Sequence, residues 1–238
     1  MLSAHHIRDG IESKQGRANF VTKYDVEVQN FLYQELGKIL PDVGFIGEED
    51  KSRTESNAEY CFIIDPIDGT TNFIFDYRHS AISVGLLYQG EIILGVVYNP
   101  YLNELFYAEK GKGAYLNGRR LIVSGLSISE GIAAIGTCPY NREKAEETFR
   151  LARKLYDIAL DIRRSGSAAL DICYVAANRY AIYFELILSP WDYAGASLIL
   201  KEAGGCISTM DRGELPYTLS CPVLAASAKA YEEFYDIR

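Results

Sequence analysis

The spacing of apolar residues divides the chain into a β-rich first half and a second half in which strands and helices alternate. Near the start, apolar residues recur at helical spacing over 24–40 and predict an amphipathic helix, which Pro41 ends. The apolar positions of this predicted helix are Val28, Phe31, Leu32, Leu36 and Ile39.

Continuous apolar runs in the first half predict strands. The run at 60–65 ends in an acid and is typical of a strand buried on both faces. Two runs at 80–88 and 91–98 flank Gln89-Gly90 and predict a β-hairpin. Further β-rich sequence lies at 103–109 and around the Leu116-Asn117-Gly118 turn.

The second half alternates the two periodicities. A helix over 142–156 is predicted to bury one face, made of Ala145, Phe149, Ala152 and Tyr156. The other predicted elements are a strand at 158–163, a helix at 167–177, a strand at 181–186, a helix at 191–203 that stops at Gly204-Gly205, strands near 206–209 and 223–226, and a final helix. This order predicts layers of helix and sheet in one domain with two lobes, about 1–127 and 128–238.

The length and the net charge of the chain exclude some classes of function. The 238 residues are 48% hydrophobic and 24% charged, so the chain can bury a substantial core. With 24 Lys and Arg against 32 Asp and Glu, the net charge is −8. This excess of acid argues against a nucleic-acid binder that relies on phosphate contacts and against a basic membrane-surface protein.

Cysteine usage and the N-terminus point to the cytoplasm. The five cysteines form no C-x-x-C pair and mostly lie in apolar runs, as buried reduced thiols do. The first residues have no apolar signal region, and no run of 18 apolar residues occurs. We therefore expect a cytoplasmic protein that neither crosses a membrane nor is secreted.

Acidic residues occur at three places where a core needs few charges. They lie in Gly47-Glu48-Glu49-Asp50, in Asp65-Pro66-Ile67-Asp68-Gly69 and in Pro190-Trp191-Asp192. Each places a carboxylate at a strand end or a helix start, inside an apolar neighbourhood. Buried carboxylates at close quarters destabilise a protein unless they are paired. Nearby lysines are few, so hard divalent cations such as Mg²⁺, Mn²⁺ or Ca²⁺ are the natural partners for an all-oxygen ligand set.

The middle segment can serve both cations and phosphate. Asp68 follows Asp65 by three residues, and Pro66 leaves nearby carbonyls, including that of Ile67, able to face a ligand. Gly69 permits a close backbone approach. If a helix begins near Thr70, the free N–H groups of Gly69, Thr70 and Thr71 form an anion site beside the cations. Cations next to such a helix start indicate a phosphate-monoester site.

Each segment alone has a plainer interpretation. Asp192 can act only as a helix cap, Asp68-Gly69 can form only a turn, and Glu48-Glu49-Asp50 can be a solvated charge run. Other motifs fail on spacing: no Walker loop is present, the pair Asp65 and Asp68 does not match haloacid dehalogenase-type phosphatases, and the glycine falls at the wrong position for an EF-hand.

Several of these residues resemble the inositol monophosphatase family. The resemblance covers nearly the whole chain. It rests on Val21-Thr22-x-x-Asp25, Gly47-Glu48-Glu49, Asp65-Pro66-Ile67-Asp68-Gly69-Thr70-Thr71-Asn72-Phe73, Gly111-x-Gly113-Ala114-x-x-Asn117-Gly118, Gly166-Ser167-Ala168-Ala169, Trp191-Asp192-x-Ala194-Gly195 and Glu202-Ala203-Gly204-Gly205. It implies an α+β fold, the layered α-β-α-β-α sandwich of the inositol monophosphatase and fructose-1,6-bisphosphatase type. It also implies Mg²⁺-dependent, lithium-sensitive hydrolysis of a phosphate monoester, and it suggests a homodimer.

The resemblance also implies roles for residues around two or three Mg²⁺ ions, with Mn²⁺ an alternative. The implied metal ligands are Glu48, Asp65 and the Ile67 carbonyl for one ion, Asp65, Asp68 and Asp192 for the second, and Glu49 for the outer shell or a third ion. The implied catalytic residues are Glu48 and the pair that orients water, Asp25 and Thr70. The implied substrate contacts are Gly69, Thr70, Asp192, Glu185 at a substrate hydroxyl and Lys14 on a mobile loop.

Departures from the family pattern leave the substrate open. Ala181 stands where the family usually has an aspartate near the substrate hydroxyls, and only thirteen residues precede Lys14. The small residues around Gly195 are reordered, which should be tolerated because all remain small. The leading hypothesis is a phosphatase of the myo-inositol-1-phosphate type that acts on a small phosphorylated polyol, sugar or nucleotide. The alternatives are a fructose-1,6-bisphosphatase, a 3′(2′),5′-bisphosphate nucleotidase, or a regulatory protein that kept the fold and acts by binding, for example to transcription machinery.

Overall fold

The protein folds into two β-sheets with helices between and outside them. The structure, a computed structural model, describes residues 1–2, 12–13, 20–50 and 58–238. A two-stranded ribbon pairs β1 (Glu12–Ser13) with β2 (Phe20–Val21). All five cysteines are free thiols; four are buried and Cys206 is half-buried.

The larger sheet has seven strands in chain order. Its strands are β3 (Gly44–Gly47), β4 (Tyr60–Asp68), β5 (Ala81–Tyr88), β6 (Glu91–Asn99), β7 (Glu104–Glu109), β8 (Gly113–Leu116) and β9 (Arg119–Leu121). All neighbours are antiparallel except β3 and β4. The β5–β6 hairpin forms as predicted, because Gln89 and Gly90 both take positive φ, as a tight two-residue turn requires.

The smaller sheet has five strands. They are β10 (Ile132–Ile135), β11 (Asp161–Arg163), β12 (Ile182–Leu188), β13 (Cys206–Thr209) and β14 (Cys221–Ala226), in the spatial order β11-β10-β12-β14-β13. The predicted lobe boundary after residue 127 falls between the two sheets, and the division into lobes stays a prediction. No strand was predicted at β10, where small residues weaken the β signal.

Helices complete five layers. The α-helices are α1 (Lys23–Ile39), α2 (Thr70–Ile74), α3 (Ala145–Tyr156), α4 (Ala168–Ala176), α5 (Pro190–Glu202) and α6 (Ala228–Ile237), with 3₁₀ turns at Ile128–Glu130 and Arg142–Lys144. Helix α1 packs on the outer face of the larger sheet, α4 and α5 lie between the sheets, and α3 and α6 cover the smaller sheet. The α-β-α-β-α architecture that the family resemblance implies is confirmed.

Side-chain alternation shows how the central strands serve two layers. On β4, Ile63 faces the α4–α5 layer, whereas Phe62 and Ile64 face α1. On β14, Val223 and Leu224 likewise point into different cores. Buried strands of this kind give continuous apolar runs, which is why they were visible in the sequence.

The predicted buried faces of two helices are partly wrong. On α3, Phe149 and Tyr156 are exposed by 59% and 55%, and the buried side chains are Thr148, Leu151, Ala152 and Leu155. On α1, Leu32 and Leu36 pack on the sheet, but Phe31 and Ile39 are exposed. Each helix has apolar residues on more than one face, and only one of these faces packs on a sheet.

Helix α5 lies directly on the larger sheet through glycines. Gly85 on β5 and Gly95 on β6 are cross-strand partners, and both face Gly195 of α5. A Cβ on Gly195 would lie 2.5 Å from the Val84 carbonyl oxygen, and one on Gly95 would lie 2.2 Å from the Gly195 carbonyl oxygen. The predicted tolerance of the reordered small residues is not contradicted, because the glycine falls at the position where a Cβ would clash with the sheet.

Candidate active site

A β-bulge at the end of β4 brings two of the predicted ligands to one place. Asp65 lies opposite Ser83 and Asp68 opposite Ala81, so three steps along β4 match two along β5. The extra residue offsets the strand alternation that would otherwise send the two carboxylates to opposite faces. The Ile67 amide donates to Asp65 Oδ1 at 3.0 Å and supports the bulge.

The start of α5 supplies a third carboxylate. Asp192 forms a capping box with Ser189, whose amide donates to Asp192 Oδ2 at 2.6 Å. One carboxylate oxygen each from Asp65, Asp68 and Asp192 lie within 4.8 Å of one another. Asp192 therefore caps α5 and also lies in the acidic cluster, so the cap interpretation does not exclude the ligand interpretation. Three buried or half-buried carboxylates form a donor set that fits a hard divalent cation.

The cluster is electrostatically unfavourable by itself. Burial raises the pKa of Asp65 well above its ordinary value, and the charges of Glu48, Asp68 and Asp192 raise it further. The pKa of Asp192 is likewise raised, mainly by burial and then by Asp68 and Glu48. A cation would relieve this repulsion, because the charged forms of the acids would then be paired.

Asp68 is held by the start of α4, a contact that was not predicted. Its Oδ2 accepts from the Ser167 hydroxyl and from the Ala169 amide at 2.9 Å, and its Oδ1 accepts from the Ala168 amide at 3.2 Å. Burial raises the pKa of Asp68 to about 6, and these three hydrogen bonds limit the rise. The helix N-terminus therefore orients the carboxylate as well as stabilising its charge.

The three acids of the Glu48-Glu49-Asp50 segment have different surroundings. Glu48 is close enough to the cluster for its charge to raise the pKa of Asp65 and Asp192. Asp50 accepts hydrogen bonds from Gln29, Tyr33 and the Gly47 amide, so it shapes the turn. The Glu49 amide donates to Gln29 Oε1 at 3.0 Å, and its half-buried side chain lies in the same turn. The three residues are not a solvated charge run.

The structure brings Thr70 and Asp25, the predicted water-orienting pair, within hydrogen-bond distance. Asp25 is fully buried, and its Oδ2 accepts from the Thr22 amide and hydroxyl at 2.8 and 2.5 Å, which form a capping box on α1. The Thr70 hydroxyl lies 3.3 Å from Asp25 Oδ1 and 3.2 Å from the Ile67 carbonyl. It can donate to either oxygen and still accept from a water molecule.

Gly69 is required immediately before Thr70. It has φ +88°, and a Cβ there would lie 3.0 Å from the Gly166 carbonyl oxygen and 3.1 Å from that of His79. The helix predicted to begin near Thr70 is present as α2. Asn72 joins this turn to the α4 start, since its side chain donates to the His79 and Ser165 carbonyls at 2.7 and 2.9 Å.

Part of the site borders one open cavity. Its lining includes Asp68, Gly69, Thr70, Glu185 and Asp192. Glu185 is buried against Gly136; its Oε1 accepts from the Cys138 amide and its Oε2 from the Tyr183 hydroxyl, both at 2.8 Å. Burial raises the pKa of Glu185, and each of its oxygens retains a lone pair that can accept from a substrate hydroxyl.

Two further sequence expectations concern Lys14, whose contact with the substrate stays a prediction, and Ala181. Lys14 lies outside the described residues. Ala181 is buried in the core beneath α3 and α6 and packs against Gly131, so it is not among the residues lining the cavity. The loss of a substrate contact at position 181 stays a prediction.

Other lining residues were missed, among them Arg164 and Asp171. Asp171 is 2% exposed; its Oδ2 accepts from the Ser165 hydroxyl at 2.7 Å, whereas its buried Oδ1 has no partner in the described part of the chain. A signal existed for Asp171, because it is an acid inside the apolar pattern of α4. Arg164 stands just before the Gly166-Ser167 motif.

We expect Asp171→Asn to stabilise the metal-free protein at pH 8. Burial raises the pKa of Asp171 well above its ordinary value, so above about pH 4 the folded state keeps a proton that the unfolded chain has released. The free energy of unfolding of the wild type therefore falls as the pH rises from about 4 to the folded-state pKa. Asparagine is neutral throughout and still accepts from Ser165, so it removes this fall.

Thermal denaturation followed by circular dichroism with a chelator, from pH 4 to pH 8, measures the effect. The melting temperatures of the two proteins should converge at pH 4. Asp236→Asn, which neutralises an exposed acid on α6, is the control and should show a smaller pH-dependent difference. A variant less stable than the wild type at pH 8 would contradict the expectation.

Comparison with known proteins decides the family. The sequence model of the inositol monophosphatase family matches residues 2–237. The chain belongs to the inositol monophosphatase family. This membership confirms the resemblance found in the sequence and the enzyme class, a phosphoric monoester hydrolase.

Individual relatives carry two kinds of name. The chain is 39% identical over 205 residues to an inositol-1-monophosphatase of Rhizobium meliloti, covering 86% of this chain and 77% of the relative. It is 34% identical over 235 residues to a protein of Vibrio cholerae named Nus factor SuhB, covering 95% of this chain and 88% of the relative.

Solved structures agree with the fold. The extragenic suppressor protein suhB of Bartonella henselae matches with a TM-score of 0.91 at 32% identity, covering 98% of this chain and 89% of that one. An IMPase/NADP phosphatase matches with a TM-score of 0.86 at 23% identity, covering 95% of this chain and 85% of that one.

Among the residues described, no helix combines the length and apolar character needed to cross a bilayer.

Proposed function

We propose that the protein hydrolyses small phosphate monoesters of the myo-inositol-1-phosphate type with Mg²⁺, by direct attack of water. The observation that carries the proposal is the meeting of one carboxylate oxygen each from Asp65, Asp68 and Asp192 within 4.8 Å, beside a cavity lined by Asp68, Asp192, Gly69 and Thr70. The IMPase/NADP phosphatase that shares this fold was solved with Mg²⁺ and phosphate. A homodimer belongs to the proposal on the family resemblance alone.

The acidic residues would hold two or three Mg²⁺ ions, or Mn²⁺ in their place. The proposed ligands are Glu48, Asp65, Asp68, Asp192, the Ile67 carbonyl and, more weakly, Glu49. When bound, the cations would neutralise phosphate charge and acidify a water molecule. The charge of Glu48 raises the pKa of Asp65, so Glu48 lies near the cluster. Glu48 directly follows β3 and would bind a metal ion from the side of that strand.

The chain's own groups would position the reactants. Thr70, fixed by Asp25, would accept a hydrogen bond from the attacking water and aim it at phosphorus. The amides of Gly69 and Thr70 would donate to phosphate oxygens, and Glu185 would accept from a substrate hydroxyl. Water would attack directly, with no phosphorylated enzyme between substrate and product.

A phosphate-release panel tests the proposal. Inositol 1-phosphate, fructose 1,6-bisphosphate and 3′-phosphoadenosine 5′-phosphate would each be assayed with Mg²⁺, with Mn²⁺, with Mg²⁺ plus Li⁺, and with a chelator. We expect metal-dependent release from inositol 1-phosphate that Li⁺ inhibits. Absence of release from every ester with either Mg²⁺ or Mn²⁺ would overturn it, as would a phosphoenzyme accumulating in rapid-quench samples.

A second role by binding is supported by the name Nus factor on the Vibrio cholerae relative. The buried acids argue against binding as the sole role, since unused buried charges lower stability. The same panel separates the two, because an inactive protein would leave only the binding role.

A further inference from the structure

Arg164 is the one cation among the charged residues that line the cavity in the described part of the chain. The others are the acids Asp68, Asp171, Glu185 and Asp192. Arg164 is exposed, so its side chain lies where the cavity meets solvent. A substrate group that projects from the cavity would pass this guanidinium.

The guanidinium spans two walls of the cavity. Its Nε donates to the Thr137 hydroxyl at 3.2 Å, and a Cβ on Gly166 would lie 2.6 Å from its Nη1. Thr137 adjoins the segment that packs on Glu185, and Gly166 adjoins the turn that holds Asp68. Arg164 therefore borders the side of the cavity where the leaving group would contact Glu185.

Arg164 forms no ion pair in the described ranges, unlike several other arginines, although its charge opposes the rise in the pKa of Asp171 and Glu185. Arg163, its neighbour, pairs with Asp161, and Arg179 pairs with Glu104. The hydrogen bond to Thr137 uses only Nε. The Nη1 and Nη2 groups lie in the plane of the guanidinium and can donate two parallel hydrogen bonds to the oxygens of a phosphate. An unpaired guanidinium at the mouth of an acidic cavity is suited to an anion brought by the substrate.

We propose that Arg164 is a specificity-determining residue that binds a second phosphate group on the leaving group. The favoured substrates would be polyol or sugar bisphosphates, hydrolysed at the phosphate placed beside Asp65, Asp68 and Asp192. This inference rests on the proposed phosphatase function. Without a cation at the mouth, the acids of the cavity would repel a second phosphate.

Paired substrates that differ only in the second phosphate test the inference. Inositol 1-phosphate would be compared with inositol 1,4-bisphosphate, with release of the 1-phosphate measured for the wild type, Arg164→Ala, Arg164→Lys and Arg163→Ala. We expect Arg164→Ala to raise the KM for the bisphosphate by about ten- to a hundredfold, the effect of losing charge-assisted hydrogen bonds. The kcat for the bisphosphate and both constants for the monophosphate should change less than about threefold.

Two controls sharpen the result. Arg164→Lys keeps the charge without the fork and should recover part of the KM effect. Arg163→Ala removes an equal charge one residue away and should leave the ratio between the substrates unchanged. Equal melting temperatures of the wild type and Arg164→Ala would exclude a folding defect, since Arg164 forms one side-chain hydrogen bond at the surface.

The possible failures are distinct. If the wild type releases phosphate but Arg164→Ala affects both substrates equally or neither, the inference is wrong and the proposed function stands. An equal loss would place Arg164 at the scissile phosphate instead. If the wild type releases phosphate from no ester, the proposed function fails and the inference falls with it.

Discussion

Asp68→Asn is expected to lower metal-dependent phosphate release by at least about a thousandfold, equivalent to about 4 kcal/mol of transition-state stabilisation. The substitution keeps the size of the side chain and removes a negative charge from the centre of the proposed metal site. The fold should survive. An asparagine whose carbonyl occupies the Oδ2 position keeps the bonds from Ser167 and Ala169 and loses only the 3.2 Å bond from Ala168.

The measurement combines phosphate release from inositol 1-phosphate with calorimetric titration of Mg²⁺. Asp68→Asn should bind the metal more weakly, while its circular dichroism spectrum stays that of the wild type. Asp76→Asn, which neutralises an exposed acid eight residues along the chain, is the matched control and should retain activity. Wild-type turnover by a folded Asp68→Asn protein would show that Asp68 is not a metal ligand.

The composition of the candidate site could be predicted because its chemistry is local in sequence. The run from Asp65 to Thr70 contains two acids, a glycine with positive φ and a helix start, and each has a recognisable residue type. The bulge that places Asp65 and Asp68 together depends on the register with β5, which no local pattern specifies. The hydrogen bonds from the start of α4 to Asp68 could not be predicted either, because they join residues about a hundred positions apart.

Helix faces were harder to predict than helices. On α3, the rows Ala145-Phe149-Ala152-Tyr156 and Thr148-Leu151-Ala152-Leu155 share a residue and lie side by side. The smaller sheet selects the second row, and it buries Thr148 in preference to Phe149. Periodicity predicts that a face is buried, but the surface that receives it decides which of two neighbouring rows that is.

Gly195→Ala is expected to destabilise the protein strongly and to weaken its metal site. A Cβ at this position would lie 2.5 Å from the Val84 carbonyl oxygen, a backbone atom that cannot turn aside. Helix α5 must then move away from β5 and β6, at a cost of about 1–3 kcal/mol or more for overpacking a close contact. That is a large share of the 5–15 kcal/mol that stabilises a typical domain.

The same replacement in another helix separates packing from intrinsic helix preference. Gly37 lies in α1, where an added Cβ would only touch Phe45 at 3.9 Å. Gly37→Ala should therefore raise stability by about 0.5–1 kcal/mol, since alanine is the better helix former. Urea denaturation of both variants should give changes of opposite sign, and equal changes would show that helix preference rather than the contact with the sheet governs Gly195.

A movement of α5 should also weaken metal binding at the proposed site. Asp192 stands one turn before Gly195 on this helix, and its ligand oxygen lies within 4.8 Å of those of Asp65 and Asp68, which belong to the sheet. A shift of the helix against the sheet changes that separation, so Gly195→Ala should bind Mg²⁺ more weakly than Gly37→Ala under conditions where both are folded. Unchanged metal affinity in a destabilised Gly195→Ala protein would mean that the helix start is held independently of the glycine contact, by the capping box at Ser189.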